Sequence, residues 1–281
     1  MTPPAPVRLG LIGDNIARSR SPALHRIAGR LAGIDVTYDL FIPRDLGMDF
    51  DATFTMCRDK GLRGLNVTYP YKECAVSMVR VDDEGTRRIG AVNTIIFDDD
   101  SPKGFNTDCS GFMAAYRARR GDTSPGRVAM VGAGGVGKAI AFGLAALGAD
   151  EIVLADRDAA KASGLVDMLA AQGHAARAAT SVEDAVADAD GIVNCTPVGM
   201  VGYPGSAIPA GLLQGSSWAF EAVYTPVDTQ FKLEAEAAGL AVISGYELFF
   251  NQGVHAFELF TGRPPTDLQR LREMLANDHD R

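Results

Sequence analysis

The sequence predicts an α/β protein with mostly parallel strands, divided into two blocks. Three observations carry that expectation. Short apolar runs alternate with longer helical patterns along the chain, the rhythm of strand–helix–strand units. A polar stretch with glycine and proline, residues 121–126, breaks the rhythm and marks a border. Immediately after it an apolar run opens into a glycine-rich segment, V-G-A-G-G-V-G.

In the first block, apolar runs predict strands at Val7–Ile12, Val36–Phe41, Gly64–Val67 and 91–97. Helical patterns fit between them, including 22–32 and 71–78. Residues 98–102 read as an acidic turn and 109–119 as a helix. In the second block, strands are expected at Arg127–Val131, Glu151–Ala155, 191–195, 218–223 and 241–244. The tail is helical over 248–260 and 268–276. There is no internal repeat and no low-complexity segment.

Composition narrows the function. The 281 residues suffice for two modest domains, and an apolar share of 47% lets each bury a core. A net charge of −8 argues against nucleic acid or an anionic membrane as partner. An anionic substrate would therefore need locally placed donors. Cys57, Cys74, Cys109 and Cys195 are scattered and form no C-x-x-C pair, so they read as buried thiols in a reducing compartment. The start of the chain lacks a charged-then-apolar signal pattern, and no apolar run is long enough to cross a bilayer. A cytoplasmic protein is expected. His25, His174, His255 and His279 have no metal-ligand spacing, so no metal is expected.

The segment R-V-A-M-V-G-A-G-G-V-G-K-A places Gly132, Gly134 and Gly137 in the pattern G-x-G-x-x-G. Alone the pattern is weak. Here an apolar strand precedes it, an Ala-rich helix follows to Leu147, Gly148 ends that helix, and a second strand begins at Glu151. In this setting the first glycine permits a tight turn, the second lets the backbone approach a pyrophosphate, and the third lets helix and strand pack closely. The helix start offers N–H groups and a positive dipole end to phosphates. Asp156 ends the second strand, where a carboxylate binds both ribose hydroxyls of NAD and repels the extra phosphate of NADP. Arg157 beside it is able to pair with that phosphate, and Asp158 adds negative charge. NAD is the preferred reading, with NADP possible. T-P-V-G-M, Thr196 to Met200, follows a later strand at the carboxyl edge where cofactors bind. An ordinary Pro/Gly loop is the plain alternative.

The first block carries several polar constellations. In I-A-R-S-R-S-P-A-L-H, Ser19 and Ser21 precede Pro22, a residue suited to a first helical position. Ser21 is then either a simple N-cap or, with Ser19, half of a carboxylate site. In G-L-N-V-T-Y-P-Y-K-E, Asn66 and Thr68 lie two apart and face one side of an extended chain. Lys72 follows Pro70 at a turn into a helix, where the dipole disfavours a cation, and a surface lysine is its plain alternative. G-A-V-N-T sets Asn93 in an apolar strand, where its amide needs partners. F-N-T-D sets Asn106 and Asp108 near the border between blocks. Tyr224 and Gln252 are polar residues near the carboxyl edge of the second sheet.

Taken in order, S-R-S-P, N-V-T-Y-P-Y-K, G-A-V-N-T, N-T-D, G-A-G-G-V-G, N-C-T-P-V-G-M and N-Q-G give the chain a recognisable pattern over essentially its whole length. It resembles the shikimate dehydrogenase family, closest to the NAD-using quinate/shikimate branch. The resemblance implies a substrate-binding domain over residues 1–108, a Rossmann NAD(P)-binding domain over 109–246, and C-terminal helices over 247–281 that return to the first domain. It implies reversible reduction of 3-dehydroshikimate to shikimate, with a small cyclic hydroxy acid as partner and a monomeric or homodimeric protein. Lys72 matches the family's catalytic lysine and Asp108 its partner. Ser19 and Ser21 match the pair on the substrate carboxylate, with Tyr224 close to it. Asn66, Thr68, Asn93, Asp108 and Gln252 match positions around the ring hydroxyls. The implied cofactor set is Gly132, Ala133, Gly134, Gly135, Val136, Gly137, Asp156, Arg157, Thr196, Pro197, Val198, Met200, Val223 and Gly245. The chain departs from the family at Asn15 and Arg18, where Pro and His are common, and at G-Y-E-L-F, where the family often has G-x-G-M-L. Asp156-Arg157-Asp158 replaces the Asn-Arg-Thr/Ser usual in NADP members.

The implied chemistry is hydride transfer to the substrate carbonyl, with Lys72 donating the proton to the forming alkoxide and Asp108 orienting it. A free lysine has a pKa near ~10.4, so Lys72 acts either as a tuned acid/base or by position and charge. Quinate or an amino-shikimate as main substrate, and a catalytically silent regulator on the same scaffold, are the alternatives.

Overall fold

The computed structural model describes residues 5–97 and 101–278. It divides into two compact units, Met1–Thr107 with Gln252–Arg281, and Asp108–Asn251.

The first unit opens with β1 (Val7–Ile12), α1 (Ser21–Ala32), β2 (Val36–Phe41), α2 (Pro43–Leu46), α3 (Phe50–Asp59) and β3 (Gly64–Val67). A 3₁₀ turn (Cys74–Met78), α4 (Glu84–Ile89), β4 (Thr94–Ile96) and β5 (Lys103–Phe105) follow. Its sheet has the order β2-β1-β3-β4-β5. β1 is parallel to β2 and β3, whereas β4 and β5 run antiparallel. β3 and β4 are buried at every position, and Asn66 is the polar exception in the G-L-N-V of β3. Sequence shapes the flanking helices locally. α1 starts at Ser21-Pro22 and stops at Gly33, whose φ of +67° is the left-handed value a helix C-cap favours. Asp49 caps α3 by accepting from Ala52 N at 2.8 Å. Phe50, Phe54 and Phe41 then pack with Leu65 and Ile95. Each such side chain contributes about 1.5–3 kcal/mol by burial.

The second unit holds α5 (Thr107–Arg120) from Asp108 onward, β6 (Arg127–Val131), α6 (Gly135–Ala146), β7 (Glu151–Ala155), α7 (Ala159–Ala170) and β8 (Ala176–Ala178). It continues with α8 (Val182–Val186), β9 (Gly191–Asn194), β10 (Trp218–Glu221), α9 (Gln230–Ala237) and β11 (Ala241–Ile243). All six strands are parallel, in the order β11-β10-β9-β6-β7-β8. This is the doubly wound Rossmann order, and its switch point lies between β6 and β9. α10 (Gly245–Thr261) begins in this unit and ends in the first, and α11 (Leu268–Asn277) belongs to the first. There the Arg20 guanidinium donates to the carbonyls of Leu275 and Asp278, closing the carbonyl end of α11 with a cation.

Several sequence expectations need correction. Residues 71–78 form no α-helix beyond the 3₁₀ turn. The Lys72 carbonyl, which a helix would bond to residue 76, accepts instead from Val92 N at 2.8 Å, and Val76 N turns to Glu73 O. The same bond draws Val92 out of the ladder, so the strand expected over 91–97 shrinks to Thr94–Ile96. The strands expected at 191–195, 218–223 and 241–244 each end one or two residues earlier, and neither β5 nor β8 is among the expected strands. Cys74, expected to be buried, is exposed at the start of the 3₁₀ turn. Part of the expected acidic turn, 98–100, and His279 lie outside the described residues.

Candidate active site

In the second unit the glycine loop joins β6 to α6. Gly132 has φ +104°, and an added Cβ would stand 2.7 Å from the Cys195 carbonyl. At Gly137 it would collide with the carbonyl oxygen of Gly132. Those two glycines serve the chain's own packing. Gly134 differs: its φ is −76°, and a Cβ there would meet nothing within 4 Å. No internal contact requires glycine at that position, whereas close approach of a pyrophosphate to the backbone does. Gly134 is also the N-cap of α6 and supplies no side-chain cap, so the first turn presents main-chain N–H groups to an anion. The residues present therefore fit a dinucleotide.

Asp156 follows β7, and both its carboxylate oxygens are anchored. Oδ2 accepts from Ala133 N at 2.7 Å, and Oδ1 from Asp158 N at 2.8 Å. The carboxylate is thus held against the glycine loop with a second lone pair on each oxygen. Arg157 is exposed, and Asp158 caps α7 through Ala160 N.

Two further loops leave the carboxyl ends of β9 and β10. Asn194 Oδ1 accepts from Thr196 N at 3.0 Å and Thr196 Oγ1 at 2.7 Å, and its Nδ2 donates to Val198 O at 3.3 Å. Thr196 lies beside Gly132, because a Cβ on that glycine would stand 2.9 Å from Thr196 N. Pro197 is exposed, Val198 and Met200 half-buried. Val223 is buried, and Gly245 packs so tightly on its carbonyl that a Cβ would not fit. Tyr224 stacks on Phe249 with ring centroids 4.8 Å apart. Sequence reasoning missed the centre of this network. Glu221, fully buried at the end of β10, accepts from Asn194 Nδ2 and Val223 N through Oε1 and from Thr229 Oγ1 through Oε2. Burial raises its pKa to about 7, against the opposing pull of these hydrogen bonds. A charged residue inside the apolar run W-A-F-E-A-V was the available signal.

The first unit assembles neutral polar side chains. Asn66 Oδ1 accepts from Tyr38 OH at 2.9 Å, and its Nδ2 donates to Asn93 O and to Thr94 Oγ1. Asn93 Oδ1 accepts from Thr107 N at 2.7 Å and from the hydroxyls of Thr94 and Thr107. Thr107 Oγ1 lies 3.5 Å from Gln252 Oε1. Asn106 is spent structurally, donating to Ala91 O at 2.9 Å. Thr68 is half-buried at the end of β3, against Gly13. His25 lies beneath this network, stacked on Tyr38 at 4.9 Å. Burial lowers its pKa to about 3, with a contact to Asn66 opposing.

Ser21 is not the N-cap of α1; that position is Arg20, without a side-chain cap bond. Instead Ser19 Oγ accepts from Ser21 N at 3.3 Å and donates to Ser21 Oγ at 3.2 Å, so the two hydroxyls converge. Lys72 is 8% exposed, which removes the surface-lysine alternative. Its loop is tied to the one after β1 by Tyr71 OH, donating to Asp14 Oδ1 at 2.7 Å, and by Asp14 N, donating to Tyr69 O at 3.1 Å. Asp108, 4% exposed, stands in the first turn of α5.

A Rossmann sheet with this glycine loop and anchored acidic residue, joined in one chain to a second α/β unit rich in buried amides and hydroxyls, defines a dinucleotide-dependent oxidoreductase. Comparison with known proteins narrows the class. The model of the shikimate dehydrogenase substrate binding domain matches residues 11–95, and that of the coenzyme F420-dependent NADP oxidoreductase matches 127–216. A quinate/shikimate dehydrogenase (NAD(+)) from Corynebacterium efficiens is 37% identical over 95% of this chain and 96% of its own length. A shikimate dehydrogenase (NADP(+)) from Streptomyces avermitilis is 38% identical over 95% of this chain and 94% of its own. The structure of quinate dehydrogenase from Corynebacterium glutamicum in complex with NAD superposes with a TM-score of 0.87 at 34% identity, covering 97% of this chain and 99% of that one. The chain belongs to the shikimate dehydrogenase family. Among the described residues, no helix is long and apolar enough to cross a membrane.

Proposed function

We propose that the protein catalyses the reversible, NAD(P)-dependent interconversion of 3-dehydroshikimate and shikimate, with NAD preferred. The observation that carries the reading is the buried amide–hydroxyl network of the first unit, in a chain whose second unit fits a dinucleotide. When bound, the dinucleotide supplies or accepts the hydride.

The network supports a set of directions for the substrate's hydrogen bonds. Both Nδ2 bonds of Asn66 stay inside the protein and its Oδ1 already takes Tyr38 OH with His25 beside it, so Asn66 serves the ring-hydroxyl pocket through the acceptor Oδ1 alone. Asn93 is the reverse: three donors converge on its Oδ1, so it meets the substrate as a donor through Nδ2. Thr68 and Gln252 complete the hydroxyl contacts. Ser19 and Ser21 hold the carboxylate, with Tyr224 as its further partner. Lys72 gives the proton to the alkoxide oxygen as the carbonyl is reduced and takes it back in the reverse direction. Asp108 orients the ammonium. NAD preference follows from Asp156, whose remaining lone pairs suit two ribose hydroxyls and oppose a phosphate of nearly two negative charges. Four scattered cysteines with no C-x-x-C pair support a reducing, cytoplasmic setting.

Quinate is the second reading, favoured by the NAD-linked quinate/shikimate relative. A cofactor-by-substrate activity matrix decides: NAD and NADP, each against shikimate, quinate and amino-shikimate. The highest kcat/KM is expected for NAD with shikimate. Dominance of quinate would reassign the substrate, and preference for NADP would transfer control of the ribose pocket to Arg157.

A further inference from the structure

Glu221 is a carboxylate with no exposed surface and no part in the chemistry above, yet it joins two loops. Through Asn194 it reaches Thr196 and Val198, because the Asn194 amide that donates to Glu221 also carries the bonds to that loop. Through Val223 N and Thr229 Oγ1 it gathers both ends of the second loop, 222–229. The loops also touch directly. Val201 N donates to Thr225 O at 3.4 Å, and Gly199, at φ +103°, leaves only 3.3 Å between a hypothetical Cβ and the Thr229 Cβ. Both loops stand at the carboxyl ends of adjacent parallel strands, β9 and β10, on the ligand-binding edge of a Rossmann sheet.

A buried carboxylate is costly unless its lone pairs are filled. Here the donors to it, Val223 N, Thr229 Oγ1 and Asn194 Nδ2, come from one loop and from the side chain that shapes the other. We propose that Glu221 is a positioning residue for the dinucleotide, setting the 196–200 and 222–229 loops in the shape that receives its nicotinamide end. The proposal rests on the dinucleotide reading of the second unit. Glutamine keeps the shape but loses an acceptor: one oxygen becomes an NH₂ group facing Asn194 Nδ2 or the Thr229 hydroxyl. Valine at position 229 removes the hydroxyl from the other end, and serine retains it.

The test uses the full chain at pH 8, above the value of about 7 to which burial raises Glu221. NAD affinity is measured by calorimetry, KM for NAD and shikimate by steady-state kinetics, and Tm by thermal unfolding. Wild-type binding of NAD tests the underlying reading by itself. Given that binding, Glu221→Gln should raise Kd and KM for NAD at least tenfold and leave KM for shikimate within about twofold. Thr229→Val should weaken NAD in the same direction by a smaller factor, and Thr229→Ser should restore it within about twofold. Should Glu221→Gln fail to fold, the Thr229 pair decides alone. The proposal is overturned if folded Glu221→Gln binds NAD as wild type does, if KM for both substrates and Tm deteriorate together, or if Thr229→Val and Thr229→Ser bind NAD equally.

Discussion

Both units end their inner strands in buried polar networks, but of opposite chemical kind. In the first unit Tyr38, Asn66, Asn93, Thr94 and Thr107 are neutral, and the neighbouring His25 is kept neutral by burial. Neutral amides and hydroxyls can be turned into graded donors and acceptors for a polyhydroxylated ring without an unpaired charge at stake. In the second unit the network is organised by a carboxylate, Glu221, which draws N–H and O–H groups of two loops toward one point. The first arrangement suits reading a small ligand; the second suits shaping backbone around a large one.

The comparison breaks most visibly at Lys72. If chemistry resides with the first unit and dinucleotide affinity with the second, Lys72→Met should lower kcat by roughly 10²–10⁴ and leave Kd for NAD near wild type. Turnover near wild type in a correctly folded variant would remove Lys72 from the mechanism.

Two buried ionisable groups, His25 and Glu221, should also respond to pH in opposite senses. His25 has its folded pKa lowered from 6.5 to about 3, so the stability it contributes is present above pH 6.5 and is lost as pH falls toward 3. The difference of 3.5 corresponds to a pH-dependent contribution on the order of 5 kcal/mol. Glu221 is raised from 4.5 to about 7, so its contribution is present below pH 4.5 and is lost as pH rises through 7. That difference of 2.5 corresponds to on the order of 3 kcal/mol. Urea unfolding of wild type, His25→Leu and Glu221→Gln from pH 4 to 8 reads both. The deficit of His25→Leu should shrink toward low pH, and that of Glu221→Gln should shrink toward high pH. Parallel slopes would show that the two units handle buried charge alike.

Smaller effects sharpen the division. Ser19→Ala should raise KM for shikimate by a factor matching ~1.5–3 kcal/mol, as for a hydrogen bond to a charged group, with KM for NAD unchanged. Unaltered KM for shikimate would place the carboxylate elsewhere. Asp156→Asn should do the converse. The wild-type preference for NAD over NADP, expected to be at least about tenfold or ~1.4 kcal/mol in kcat/KM, should narrow while KM for shikimate holds.

The features legible in the sequence are those governed by near neighbours. β1, β2, β3, β6 and β7 carry the bounds that their sequence patterns predict: strands buried on both faces, such as β3, β6 and β7, need a continuous apolar run, and β2, half-buried, alternates apolar with polar residues. The glycine loop is legible because the positive φ at Gly132 and the closeness of Gly137 to the Gly132 carbonyl are both set within one strand–turn–helix unit. Motifs in fixed order then carried the family. Tertiary structure alone decided where distant groups commit their hydrogen bonds. Val92 N bonds to the Lys72 carbonyl, and this cancels a helix and shortens a strand at once. Ser19 and Ser21 turn to each other instead of capping α1. Tyr38 reaches Asn66 across 28 positions, and Asn194 reaches Glu221 across 27. A local pattern reports propensity and face, but a buried polar group must find its partner wherever the fold brings one. For that reason Glu221 stood in the sequence as one charge in an apolar run, and only the folded sheet shows what it holds.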